Sequence, residues 1–387
     1  MTVHRIAVAL CVLTFGLIVW GGHVNTTHSG MAFQDWPTSN GAAMLTYAPS
    51  QWFMQGDKFW EHGHRLFASL VGAVTVLLLV VSYRALPKDR RPSRSILIAD
   101  ALIFLVVASS LVNLHAMPAG FLEVVMVLLT ACTVFAVVVA MRKRNGERIH
   151  WFAQAAFPLV CLQACFGGYT VRNNLPDWTS TTHGMLAEVF FLIVIGIAML
   201  SSRTWRTAGR ASVHAGRDIK LLILATWGLT FVQFFLGALT RHTDAWGVST
   251  SFPQWSEEGF LPSSDLFQYA QVVIHFTHRT VAYIVALLVV VQWVVVLKHR
   301  TELKQLIGTT SMASVVVLLQ IALGAMIVLM ARNEIVTTLH VMGGVLLLML
   351  NTITLFNANR LYRFAGSTSV SKTSPSSASS SLVGQGR

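Results

Sequence analysis

The chain alternates between apolar blocks of about 20 residues, nearly free of charge, and short polar connectors. A helix of about 20 apolar residues crosses the hydrocarbon core of a bilayer. The blocks at 4–24, 64–85, 96–114, 119–141, 151–171, 183–202, 219–240, 278–298, 307–331 and 340–361 therefore predict ten membrane helices. The first is read as a retained anchor, because no small-residue cleavage site followed by a soluble domain succeeds it. The Ser-rich stretch 366–387 has almost nothing to bury and is expected to be disordered.

Composition excludes a water-soluble globule: of 387 residues, 54% are hydrophobic and 11% charged, and mean hydropathy is +0.61. A net charge of +12 would ordinarily point to an acidic partner, but 22 of the 28 Lys and Arg residues lie near the N-terminus or in connectors after even-numbered blocks. They serve topology instead, placing both termini in the cytoplasm of a multi-pass plasma-membrane protein and excluding nucleic acid as partner. All four cysteines fall inside apolar blocks, which argues against a loop disulfide or a thiolate zinc site.

The chain also repeats itself. His64-Arg65 returns as His278-Arg279 at an offset of 214, and the stretch from Gly21 to Pro37 returns as Gly237 to Pro253 at 216. Gly167 and His183 return as Gly324 and His340 at 157. The fall from 214 to 157 means that about 57 extra residues, the blocks at 96–141, interrupt the first copy. The expected architecture is all-α: two parallel-repeat four-helix transmembrane bundles, residues 1–205 and 216–363, with a helical hairpin inserted at 96–141.

Ten of the fourteen histidines fall on the outer side: His23, His28, His62, His64, His115, His183, His242, His275, His278 and His340. The repeat maps His64, His183, His278 and His340 pairwise onto one another, each opening a block, two per bundle. Paired imidazoles from different helices suit axial ligation of haem iron, with Gly72, Gly184, Gly343 and Gly344 admitting the flat macrocycle. Arg65 and Arg279 offer forks for propionates or snorkel to the interface. Glu61 lies on the face of His64 and is a candidate for proton handling; its counterpart is His275. Glu188 is a further acid inside a block. His23, His28, His62, His115 and His242 read as solvated loop histidines, and the loop tryptophans as interfacial anchors. A dihaem b-type electron-transfer protein and a repeat transporter fit some of these features. Ligands gathered on one side oppose transmembrane electron transfer, and parallel halves oppose an inverted-repeat transporter.

These residues resemble the haem A synthase family over roughly 1–85 and 151–363. The likeness rests on Gly21-Gly22, Ser29-Gly30, Asp35-Trp36-Pro37, Glu61-x-x-His64-Arg65, His183, His278-Arg279 and His340. It implies oxidation of the C8 methyl of haem O to the formyl of haem A for terminal oxidases. Substrate haem O would lie in the first unit near His64 and His183, with Glu61 catalytic, and a haem b cofactor between His278 and His340. Membrane lipid, haem O synthase and a membrane electron acceptor are the implied partners, and a homo-oligomer is left open. The chain departs from the family in lacking cysteines at 25–63 and in carrying the hairpin.

Overall fold

The computed structural model describes residues 2–112, 120–209, 211–213, 217–257 and 259–364. The expected disordered tail, His115 and His214 lie outside them. Among the described residues the long helices are α1 (Thr2–Thr26), α2 (Asp57–Arg84), α3 (Arg94–Val112), α4 (Phe121–Arg142), α5 (Asn145–Arg172) and α6 (Asp177–Ser201). After the short α7 (Arg203–Thr207) follow α8 (Arg217–His242), α9 (Ala270–Lys298), α10 (Ile307–Leu329) and α11 (Glu334–Leu361). Nine are long and apolar enough to cross a membrane; the described apolar run of α3 is Ile98–Val107. The protein is an all-α polytopic membrane protein. Its only described strands are a hairpin of β1 (Thr38–Ser39) with β2 (Ala42–Ala43) and a parallel pairing of β3 (Ala211–Val213) with β4 (Tyr362–Phe364).

Helices α1, α2, α5 and α6 pack in a ring, and α8, α9, α10 and α11 pack in a second. The rings meet where α1 and α6 lie against α11 and where α6 lies against α8. Apolar side chains close this seam: Phe191 and Ile195 of α6 and Val345 of α11, with Phe15 of α1 and Phe234 of α8 beside them. The repeat extends into the turns. Asn174 and Leu175 after α5, and Ala331 and Arg332 after α10, all take positive φ at positions 157 apart. The long connectors at 27–56 and 243–269 lie at one end of the two rings, called the loop end below.

Helices start earlier than the apolar blocks do. The four repeat histidines were expected to open their helices; each lies six to eight residues inside instead, roughly 9–12 Å along the axis. The first two turns of α2 and α6 are polar and escape a hydropathy window, while α11 opens on one acid and a mixed stretch. The three helices begin on Asp57, Asp177 and Glu334, acids that complement the helix dipole. At α11 the Asn333 side chain caps the amides of Ile335 and Val336. The histidines are thereby carried down into the bundles.

The inserted hairpin, α3 and α4, packs on α5 outside the first ring. A buried polar contact assists: Asp100 of α3 accepts from Gln154 Nε2 of α5 at 2.5 Å. One turn before Gln154, fully buried His150 pairs its Nδ1 with Ser82 of α2 at 3.1 Å. An interhelical hydrogen bond within a membrane contributes about 0.6–2 kcal/mol. Gln154→Leu should accordingly lower the unfolding temperature in detergent and speed amide exchange in α3 while leaving α8–α11 protected. Unchanged exchange in α3 would show that Asp100 does not hold the hairpin.

Candidate functional site

Each repeat histidine is seated against a glycine of the preceding helix of its bundle. A Cβ added to Gly21 of α1 would stand 2.9 Å from His64 Cε1, and one on Gly167 of α5 would stand 3.2 Å from His183 Cε1. In the second bundle the same holds for Gly237 of α8 against His278, at 3.2 Å, and for Gly324 of α10 against His340, at 3.4 Å. Any side chain at these four positions would meet the ring. The glycines are the repeat anchors of the sequence, but they act as histidine seats. Gly72 and Gly184 have open space beside them, while Gly343 packs on Gln320 and Gly344 on Phe234. Nδ1 of His64, His183 and His340 has no hydrogen-bond partner, whereas His278 Nδ1 lies 3.0 Å from Gln233 Nε2. All four histidines are half-buried.

In the second bundle the rings face an open-mouthed cavity, about 1430 Å³ when counted out into solvent. His278 and His340 lie on its walls among Phe234, Val317, Ile321 and Leu347. Besides Arg279, two basic residues reach it near the loop end. Arg241, the last residue but one of α8, is half-buried, with its Nε and Nη1 atoms buried and unpartnered and Nη2 3.4 Å from His242 Nε2. Arg332 bonds to Asp244 at 3.2 Å and lies over the Trp246 ring. Among the described residues no group of three His, Cys, Asp or Glu could hold a metal ion. Two imidazoles with no further protein ligand suit a metal that brings its own equatorial ligands, as iron in a porphyrin does. The apolar walls, the paired rings and the cations at one end fit that group.

The His-Arg pairs lead to a second repeated device. Arg65 donates to the carbonyls of Asp35, Thr38 and Phe33 at 2.8–3.1 Å. Arg279 donates to Ser249 Oγ and to the carbonyls of Ser251, Pro253 and Gln254 at 3.0–3.1 Å. Each arginine clamps the loop-end connector of its own unit, at loop positions that correspond through the 216-residue offset. Neither snorkels freely: Arg65 is 8% exposed, and Arg279 also lines the cavity. Glu61, 3% exposed, joins the first clamp. Its Oε1 pairs with Arg65 at 2.5 Å and its Oε2 accepts from the Phe33 amide at 2.8 Å. In the second unit His275 takes that place, buried against Trp255. Within the first connector, partial burial disfavours the Asp35 carboxylate. Hydrogen bonds from Thr38 and from the amides of Gly41 and Asn40 outweigh it and hold the carboxyl below its usual range.

Several histidines read as solvated are structural. His62 is 1% exposed, bonded to Ser39 Oγ at 3.1 Å and packed on Tyr47 and Trp52, because the connector folds back over α2. His23 bonds to Thr338 of the other bundle at 3.0 Å. His242 lies between Asn25 and Arg241. His28 is exposed as expected. Glu188 is 0% exposed with both oxygens unpartnered. By helical phase it shares the stripe of Phe191 and Ile195 that faces the seam, about 140° from His183. The sequence reading missed Arg241, Arg332, Gln233 and Gln320; only Gln320 carries a repeat signal, as the counterpart of Gln163, which bonds to the His183 carbonyl.

Residues 4–112 and 113–352 match the model of a family described as cytochrome oxidase assembly protein. The chain belongs to that family. It is similar to proteins named haem A synthase. The one from Caulobacter vibrioides is 24% identical over 375 residues, covering 88% of this chain and 91% of that protein. The one from Rickettsia africae is 29% identical over 204 residues, 50% of this chain and 60% of its own length. The one from Oceanobacillus iheyensis is 23% identical over 199 residues, 51% and 63%. The matched region thus spans about 60% of the length of the Rickettsia relative.

The seats make a direct test. Gly237→Val should drive the His278 ring from its place and abolish most low-spin haem absorbance of the purified protein, whereas Gly228→Ala, on the same helix with open space beside it, should leave the spectrum intact. Equal spectra in both would mean that the seats do not position the rings.

Proposed function

We propose that this member of the family is a haem A synthase, oxidising the C8 methyl of haem O to a formyl group. The observation that carries the reading is the repeated, glycine-seated pair of histidines, two in each bundle. In this reading the first unit (residues 1–205) takes substrate haem O at His64 and His183. The second (216–363) keeps a haem b cofactor at His278 and His340, with Arg279 at its edge. Membrane lipid surrounds both, and haem O synthase and a membrane electron acceptor are the partners in the same pathway. Both termini lie in the cytoplasm and the loop end faces outward, which puts the haem sites near the outer face.

Bound haem supplies the redox-active iron; the chain supplies position, shelter and proton handling. The helix glycines set the depth and tilt of each ring. The Arg65 and Arg279 clamps hold the connectors against the helices beside the sites, and fully buried Phe33 helps to keep water from the first. Glu61, one turn before His64, is the carboxylate we assign to accept a proton as the methyl is oxidised. Both of its oxygens accept hydrogen bonds, so Gln cannot reproduce the clamp as a simple isostere: its amide would turn a donor toward Arg65 or the Phe33 amide.

Two variants separate the roles. Glu61→Gln should lower haem A formation about 10²–10⁴-fold with haem O accumulating in extracted haems. Arg65→Lys, which loosens the same connector but keeps the carboxylate, should cost far less. Equal losses in the two would reduce Glu61 to a loop anchor. His278→Ala or His340→Ala should remove the haem b spectrum from inserted protein, and unchanged reduced-minus-oxidised spectra in both would refute the cofactor assignment. Labelling of cysteines introduced at Lys88 and Arg206 should come from the cytoplasmic side only; labelling from outside would overturn the orientation.

A further inference from the structure

One ridge of α8 runs Gln233, Gly237, Arg241, each residue one turn beyond the last. The first touches His278 Nδ1, and the second seats the His278 ring. The third ends at the loop end of the same cavity with two N–H groups, Nε and Nη1, buried and unpartnered. A guanidinium with buried, unsatisfied donors is costly unless an anion completes it, and its planar fork matches a carboxylate. Arg332 stands on the same cavity with its side chain 10% exposed, already paired with Asp244. Arg279 spends its donors on the connector. Arg241 is thus the cation of this cavity whose donors are left for a ligand.

We propose that Arg241, flanked by Arg332, is the carboxylate-binding subsite of the second bundle and grips a propionate of the porphyrin held by His278 and His340. The proposal rests on the haem-site reading above and adds a specificity that the histidines alone do not provide. The first bundle has no such cation at the corresponding places: the 216-residue offset puts Asn25 where Arg241 stands, and the 157-residue offset puts Leu175 where Arg332 stands. Asn25 lies 3.4 Å from His242 Nδ1, and the His242 ring in turn lies against Arg241. The first unit's helix therefore props the second unit's cation. Carboxylate anchoring in one unit only matches a retained group there and an exchangeable one in the other.

The test uses the full-length chain in lipid nanodiscs, prepared without haem and carrying His64→Ala and His183→Ala so that only the second pair remains. It is titrated with iron protoporphyrin IX and with its dimethyl ester, which keeps the ring and iron but caps both carboxylates. The parent should bind the acid about tenfold or more tightly than the ester, the worth of one charged hydrogen-bonded contact. Arg241→Gln should erase that preference while keeping ester affinity and the low-spin spectrum. Arg241→Lys should restore part of it, and reads the same ratio if the Gln variant fails to fold. An undiminished acid preference in both variants, or equal loss of acid and ester in both, overturns the subsite. Failure of the parent to give a low-spin spectrum with either probe overturns the haem-site reading itself.

Discussion

A pair of membrane helices packed over a glycine leaves room for one imidazole between them, and this steric fit governs the rest of the molecule. The ring must enter at the depth of the glycine, so its own helix must begin about two turns earlier. Those added turns carry each histidine away from the loop end and into the bundle. The same contact occurs at Gly21, Gly167, Gly237 and Gly324. Four helix pairs are thereby set at similar spacing, and each bundle gains two rings on opposite sides of one interior.

Much of this was legible in the chain. Ten apolar blocks marked the helices, and the offsets of 214, 216 and 157 placed the inserted hairpin and paired the histidines. Helix starts were misplaced because hydropathy registers lipid-facing side chains and ignores polar turns, as at Asp57 and Asp177. His62 and His242 were misread for a different reason. Their burial comes from connectors and a neighbouring bundle folding over helix ends, contacts that join residues distant in sequence. Arg241 was hidden because it looks like any basic residue at a helix end; its unpartnered donors exist only once the cavity is closed around it.

The two units keep a common frame and differ in what fills it. Arg65 and Arg279 clamp corresponding loop positions, yet the companion of the first is Glu61 and of the second His275. A carboxylate neutralises the buried guanidinium in one unit. In the other, Arg279 relies on carbonyls and on the faces of Phe252 and Trp255. The mechanical joint is thus common to both units, and the charge beside it differs.

Three consecutive residues of α1 face residues of three other helices, α2, α8 and α11. Gly21 meets His64 of its own bundle, Gly22 lies against Val341 and Arg241 of the other, and His23 bonds to Thr338 there. A helix advances 100° per residue, so inserting or deleting a single residue in the middle of α1 would rotate all three away together. One turn of one helix is the common hinge pin of both pockets. The two units, though alike in plan, cannot be re-registered or exchanged separately.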